Sequence, residues 1–165
     1  MPWPSTQLQD LLGIDLPIIQ APMAGAQTSA MAIAVSQAGG LGSLPCAMLS
    51  PDKARSEMNA IRTATPKPYN VNFFCHRPPA PAPEREASWR RRLAPYYAEM
   101  GLNPEAPLDA ASRAPFDEAM CAVVEELTPR VISFHFGLPD DSLLARVRKT
   151  GAIVLSTATT VEEAK

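Results

Sequence analysis

A chain of 165 residues, 46% hydrophobic and 19% charged, can bury the core of one globular domain and is too apolar to stay disordered. Its net charge of -2 offers no basic surplus, so neither nucleic acid nor a membrane is expected as a partner. The three cysteines, Cys46, Cys75 and Cys121, are odd in number, widely spaced and without zinc-site spacing. They argue against a disulfide framework, for a reducing compartment, and give no metal site. The opening MPWPSTQLQDLLG lacks a basic stretch followed by an apolar core, and no apolar run reaches membrane-spanning length. The expectation is a cytoplasmic enzyme or binding protein.

The chain alternates strand-like and helix-like segments. PIIQAPM (Pro17–Met23) reads as strand one. Thr28 is placed to cap a helix that runs to about Ala38 and stops at Gly39-Gly40. Leu41–Leu44 is a short strand two. Ser50-Pro51 is an N-cap followed by proline at the first helical position, and Ala54, Met58 and Ile61 recur at helical spacing. YNVNFF (Tyr69–Phe74) is strand three. Phe116, Met120, Val123 and Leu127 mark another helix, ended near Thr128-Pro129. VISFHFGLP (Val131–Pro139) is strand four, β-branched at its start and closed by Gly137 and Pro139. Asp140 or Asp141 caps the next helix, which carries Arg148 and Lys149 in its last turn. Ala152–Leu155 is strand five, and Thr160 with Glu163 forms a capping box for a further helix. Such alternation means a parallel sheet with helical crossovers, an α/β fold. The segment Cys75–Arg113 interrupts it with the proline-rich HRPPAPAPERE and a helix-like ASWRRRLAPYYAEM, broken at Pro95. It either shapes a substrate pocket or is a surface excursion.

Side chains alternate along a strand, so Ile132, Phe134 and Phe136 share one face of strand four, and Val131, Ser133 and His135 the other. His135 stands at the C-terminal strand end, where parallel α/β folds bind ligands. It is a candidate acid or base, or a core histidine satisfied by a neighbouring hydroxyl. Gln20-Ala21-Pro22-Met23-Ala24-Gly25 either lets a flat ligand approach the backbone or is a tight βα turn, and Gln20 needs a partner. Asn70 and Asn72 lie on one face of strand three; Asn72, nearer the C-terminal end, is the better ligand candidate. Ser156 and Thr157 end strand five as ligands, cap partners or both. His76 reads as a surface residue and Arg90-Arg91-Arg92 as a solvated helix face. Gly39-Gly40-Leu41-Gly42 lacks the spacing of a phosphate fingerprint.

Taken in order, PIIQAPMAG, QAGGLGSL, YNVNFF, VISFHFGLP and STATTVEEA resemble the nitronate monooxygenases, also called 2-nitropropane dioxygenases, over nearly the whole chain. The resemblance implies an FMN-dependent TIM-barrel oxidoreductase that oxidises alkyl nitronates and nitroalkanes with molecular oxygen. It implies that Ala21, Pro22 and Met23 lie against the flavin, that Asn72 hydrogen-bonds its ring, and that Ser156 belongs to the same cofactor-binding set. It makes His135 the base that removes the α-proton of a neutral nitroalkane. Two other readings stand beside it. One is another FMN-dependent barrel, of the enoyl-acyl-carrier-protein reductase or quinone reductase type. The other is a non-catalytic half-barrel that assembles with a partner.

A TIM barrel takes eight strands and about 250 residues. Here five β units are expected, and the family's later glycine-rich strand and phosphate-binding loops have no counterpart in the sequence. Residues 1–165 therefore read as the N-terminal portion of a single FMN-binding barrel with a βα-loop insertion at about 75–113. By itself this portion is expected to be inactive, and either weakly stable or self-associated through open strand edges. In this register Ile18, Val131 and Val154 face the unfilled interior.

Overall fold

In the computed structural model four short strands pair in parallel: β1 (Gly42–Pro45), β2 (Tyr69–Phe74), β3 (Val131–His135) and β4 (Ile153–Ser156). Their order in the sheet is their order in the chain. Residues 3–78, 80, 82–103, 105–106 and 113–165 are described. By contacts the chain divides into two units, Met1–His76 with Arg113–Lys165, and Arg77–Ser112.

In the first unit the helices are α1 (Gln7–Leu12), α2 (Ser29–Gln37), α3 (Pro51–Ala64), α5 (Glu118–Leu127) and α6 (Asp141–Lys149); α4 (Pro83–Glu99) lies in the second. Helices α2, α3, α5 and α6 pack on one face of the sheet. There Leu44, Val71, Phe73, Ile132 and Phe134 meet Ala32, Met58, Ile61, Val124 and Val147 in one apolar cluster. Phe134 is fully buried, with ring centroids 5.2 Å from Phe116 and 6.2 Å from Phe73. Each such side chain contributes about 1.5–3 kcal/mol by leaving water. Gly42 lets α2 sit against β1, since a Cβ there would lie 2.0 Å from the Ala32 carbonyl oxygen. A parallel sheet wound in chain order with its helices on one face is an arc of a TIM barrel.

The other face looks into the barrel. Its first layer is apolar, where Leu41 and Val131 meet Leu12 and Ile14, with Leu8, Ile153 and Leu155 against them. Helix α1 and the turn after it thus plug the N-terminal end of the interior, an element absent from the sequence reading. Val131 is fully buried beneath this plug rather than left wet, while Ile18 remains 51% exposed. Val154 packs against the helix-side cluster, and Ile153 and Leu155 take the interior positions expected of it.

Strand one is reduced to a single bridge, Ile19 to Leu41. The Gln20 N–H donates to the Leu41 carbonyl and the Leu41 N–H to that of Ile18. Continuing the ladder would require an N–H from residue 22, which is proline and has none. Glutamine side chains take over: Gln20 Oε1 accepts from the Ser43 N–H at 3.0 Å, and Gln27 Nε2 donates to the Ser43 carbonyl at 2.7 Å. Gln20 Nε2 donates to Gln27 Oε1 at 2.7 Å, which locks the pair. The partner that Gln20 needs is therefore the edge of β1.

Other local expectations divide in the same way. Ser50 caps α3 by accepting from the Lys53 N–H, with Pro51 next. Thr28 precedes α2 without a side-chain bond; Glu57 of α3 accepts from the Ser29 N–H at 3.1 Å instead. Asp140 likewise precedes α6 without a side-chain cap bond. Thr160 Oγ1 accepts from the Glu163 N–H, and Glu163 from the Thr159 N–H, yet the residues after them form turns rather than a helix. In the second unit α4 begins at Pro83 and runs through Pro95, losing one N–H bond without breaking. It buries none of its residues, and Arg92 lies over the Trp89 ring at 5.4 Å from its centroid.

Candidate functional site

Above the α1 plug the barrel face turns polar. Register pairs Ser43 with Asn70 and Val131, and Pro45 with Asn72 and Ser133. The Ser133 hydroxyl lies at the centre of this layer, 2.9 Å from both Asn70 Nδ2 and Asn72 Nδ2. Asn70 Nδ2 also donates to Ser43 Oγ at 3.1 Å, and Asn72 Nδ2 to the Ser133 carbonyl at 3.2 Å. That carbonyl can only accept, so the nitrogen of Asn72 must face it. Both N–H groups of Asn72 are thus engaged, and its carbonyl oxygen is what the residue can offer to a ligand. Among the described residues Asn70 Oδ1 is buried without a partner.

One step further along the strands is the rim. His135 ends β3, half-buried, with Nδ1 3.0 Å from Thr157 Oγ1. The chain then turns sharply: Phe136 adopts φ 64° and Gly137 φ 99°. Phe136 therefore leaves the strand and does not join the face of Phe134. It is 65% exposed and packs edge-on against Phe74, centroids 4.9 Å apart. A left-handed conformation at a bulky residue is strained, and such strain gathers where a loop is held for a purpose. His76 completes the aromatic group, 6.2 Å from Phe74 and 6.4 Å from Phe136, so it is less exposed than a surface residue. A cleft of about 830 Å³ opens between this loop and the residues after β4, lined by Phe136, Leu138, Ser156, Thr157, Thr159 and Glu163.

Asn72 and His135 are brought onto one face, in successive layers. Ser156 pairs with Phe134, in a row on the helix side, and Thr157 is the residue that reaches His135. Ala21 and Met23 are exposed, just past the Gln20–Gln27 clamp at the opposite edge of the sheet from β4. Gln27 and Phe136 are the contributions that sequence reasoning lacks. The FHFG run and the repeated glutamine were the available signals. The Cys75 thiol, half-buried beyond β2, is pushed up to about 12 by burial and by the charge of Asp140, so it is no nucleophile near neutral pH. Burial likewise raises Cys46 to about 12. Among the described residues no group of three or more His, Cys, Asp or Glu is placed to hold a metal ion, and no helix is long and apolar enough to cross a membrane.

An arc of parallel strands with amides and hydroxyls inside and an imidazole at its C-terminal rim defines the wall of a TIM barrel, with its ligand end uppermost. Relatives narrow the class. Residues 5–165 match the family model described as nitronate monooxygenase. The nitronate monooxygenase of Paraburkholderia phytofirmans is 46% identical over 158 residues, which cover 95% of this chain and 43% of that protein. That of Pseudomonas aeruginosa is 43% identical over 155 residues, 93% of this chain and 44% of its own length. The solved structure of a nitroalkane oxidase from Streptomyces ansochromogenes matches with a TM-score of 0.75 at 37% identity, over 95% of this chain and 44% of that one. FabK from Thermotoga maritima matches with a TM-score of 0.66 at 25% identity, over 95% and 38%. The chain belongs to the nitronate monooxygenase family. It spans less than half the length of the curated relatives it matches.

Proposed function

We propose that this chain supplies the N-terminal wall of an FMN-dependent barrel that oxidises alkyl nitronates and nitroalkanes with molecular oxygen, with His135 as the active-site base. The observation that carries the reading is the placement of His135. It stands at the ligand end of β3, on the interior face, with one ring nitrogen tied to Thr157 and the other left for substrate. Names among the relatives supply the substrate class.

The residues present fit the ring portion of a flavin. Ala21, Pro22 and Met23 form a strip with little side-chain bulk at Ala21 and Pro22, and a Cβ at Gly25 would meet only the Met48 sulfur, at 3.7 Å. The Asn72 carbonyl is the acceptor left for a ring N–H, in a layer where Asn70 Oδ1 already lacks a partner. Ser156 at the end of β4 pairs with Phe134 on the helix side, so the position facing His135 falls to Thr157. Bound FMN would supply the electron acceptor for the nitronate and the route onward to oxygen. His135 removes the α-proton of a neutral nitroalkane, and the C–H electron pair becomes the C=N bond of the nitronate. Phe136 and Phe74 present an apolar wall beside it. A nitronate supplied as such has already lost that proton and needs no base.

His135→Asn in the full-length flavoprotein is expected to slow nitroethane oxidation by about two or more orders of magnitude, the scale of general-base catalysis. Turnover of ethyl nitronate should fall far less. Steady-state oxygen consumption with the two substrates measures the split, and equal losses would make His135 a structural or binding residue. NAD(P)H oxidation with a quinone and no nitronate turnover would assign the barrel to a reductase instead.

A further inference from the structure

We propose that Thr157 is a positioning residue for His135, holding the imidazole in the tautomer that leaves Nε2 free to take the substrate proton. This rests on the reading of His135 as the base. The parallel register leads to the contact: Ser156, the last residue of β4, pairs with Phe134, and Thr157, the residue after it, meets His135 at the end of β3. The oxygen lies 3.0 Å from Nδ1, and among the described residues neither side chain has another hydrogen-bond partner. With Nδ1 tied to threonine, Nε2 is the nitrogen left for chemistry.

A hydroxyl can donate or accept. Were it to donate to Nδ1, the ring proton would sit on Nε2 and no lone pair would face the substrate. When it accepts from Nδ1–H, the Nε2 lone pair is free. Only this second arrangement stays satisfied through the step. After Nε2 takes the α-proton both ring nitrogens carry hydrogen, and Nδ1–H still has its acceptor. The β-branch of threonine restricts χ1, so the oxygen is held where the ring needs it. Valine keeps that shape and removes the acceptor; serine keeps the acceptor and loses the stiffness.

The test uses the full-length flavoprotein with nitroethane and ethyl nitronate. Thr157→Val should lower kcat/KM for nitroethane about tenfold, the worth of one hydrogen bond, and change that for ethyl nitronate by less than about twofold. Thr157→Ser should recover most of the loss. A second measurement does not depend on turnover. In ¹⁵N spectra of histidine-labelled protein, the resonances lost in His135→Asn should show the proton on Nδ1 in the parent, and should move toward the Nε2–H form in Thr157→Val. Equal losses on both substrates in Thr157→Val, or an Nε2–H tautomer in the parent, would overturn the role of Thr157. If His135→Asn itself slows both substrates alike, the base reading falls, and that result is distinct from an unselective Thr157→Val. Should the valine variant not fold, the tautomer of the parent protein decides.

Discussion

The two faces of the sheet are built from alternate residues of the same strands and are about equally dry, yet they are chemically opposite. On the helix side Leu44, Val71, Ile132 and Phe134 are at most 1% exposed and wholly apolar. On the barrel side Ser43, Asn70, Asn72 and Ser133 are 0–6% exposed and wholly polar. The first face stabilises simply by leaving water. The second carries a desolvation penalty at every group and recovers it only through bonds centred on one serine hydroxyl. Even so, among the described residues Asn70 Oδ1 stays unpaired. Burial by itself therefore does not distinguish a core from a site; the hydrogen-bond accounting does.

The largest expected effect concerns the sheet's edges. Among the described residues β4 has no partner on its outer side, and beyond β1 there is only the Ile19 bridge, with Ile18 and Ile19 exposed. The 165-residue polypeptide purified alone should be colourless and self-associated. A visible spectrum and a size-exclusion mass check this, and a yellow monomer that turns over nitronate would refute it. Next comes the helix side. Phe134→Ala should cost about 3–5 kcal/mol in urea unfolding of the full-length protein. A small loss would mean that Phe116 and Phe73 close over the gap.

The barrel side should respond less in stability and more in ligand retention. Ser133→Ala strands N–H groups of Asn70 and Asn72, and should cost about 1–3 kcal/mol and loosen FMN, read by unfolding and by flavin content after dialysis. No change in either would erase the distinction between the faces. The smallest effect lies outside the sheet. Lys53 and the Ser29 bonds hold the Glu57 carboxyl below the usual carboxylate range. A depressed carboxylate contributes its stability above the unfolded pKa and loses it as pH falls through the folded one. Glu57→Gln should therefore cost about 0.5–1 kcal/mol near neutral pH, with the difference from the parent shrinking below about pH 4.

Much of this was legible from alternation alone. YNVNFF matches β2 residue for residue, and the opposition of Asn72 and Ser133 to Phe73 and Phe134 follows from period two. His135 at a strand end, and Ser50-Pro51 at a helix start, are equally local facts. Where expectations failed, a distant partner intervened. Strand one ends early because Pro22 cannot donate and glutamines seven residues apart claim Ser43 instead. The N-terminus of α2 is satisfied by Glu57 of α3, not by Thr28. Val131 is dry because α1 folds under it.

What the sequence by itself determined is which side of β2 and β3 is greasy and which is polar, because the pleat fixes that at every residue; on β4, where Ile153, Val154 and Leu155 are all apolar, alternation gave no such guide. Only the tertiary structure decided that three strands bring Ser43, Asn70, Asn72 and Ser133 into one bonded layer, and that Thr157 rather than Ser156 meets the imidazole. Those contacts depend on the register between strands separated by whole crossovers. Register is set by how helices and sheet pack together, a property no short window of sequence contains.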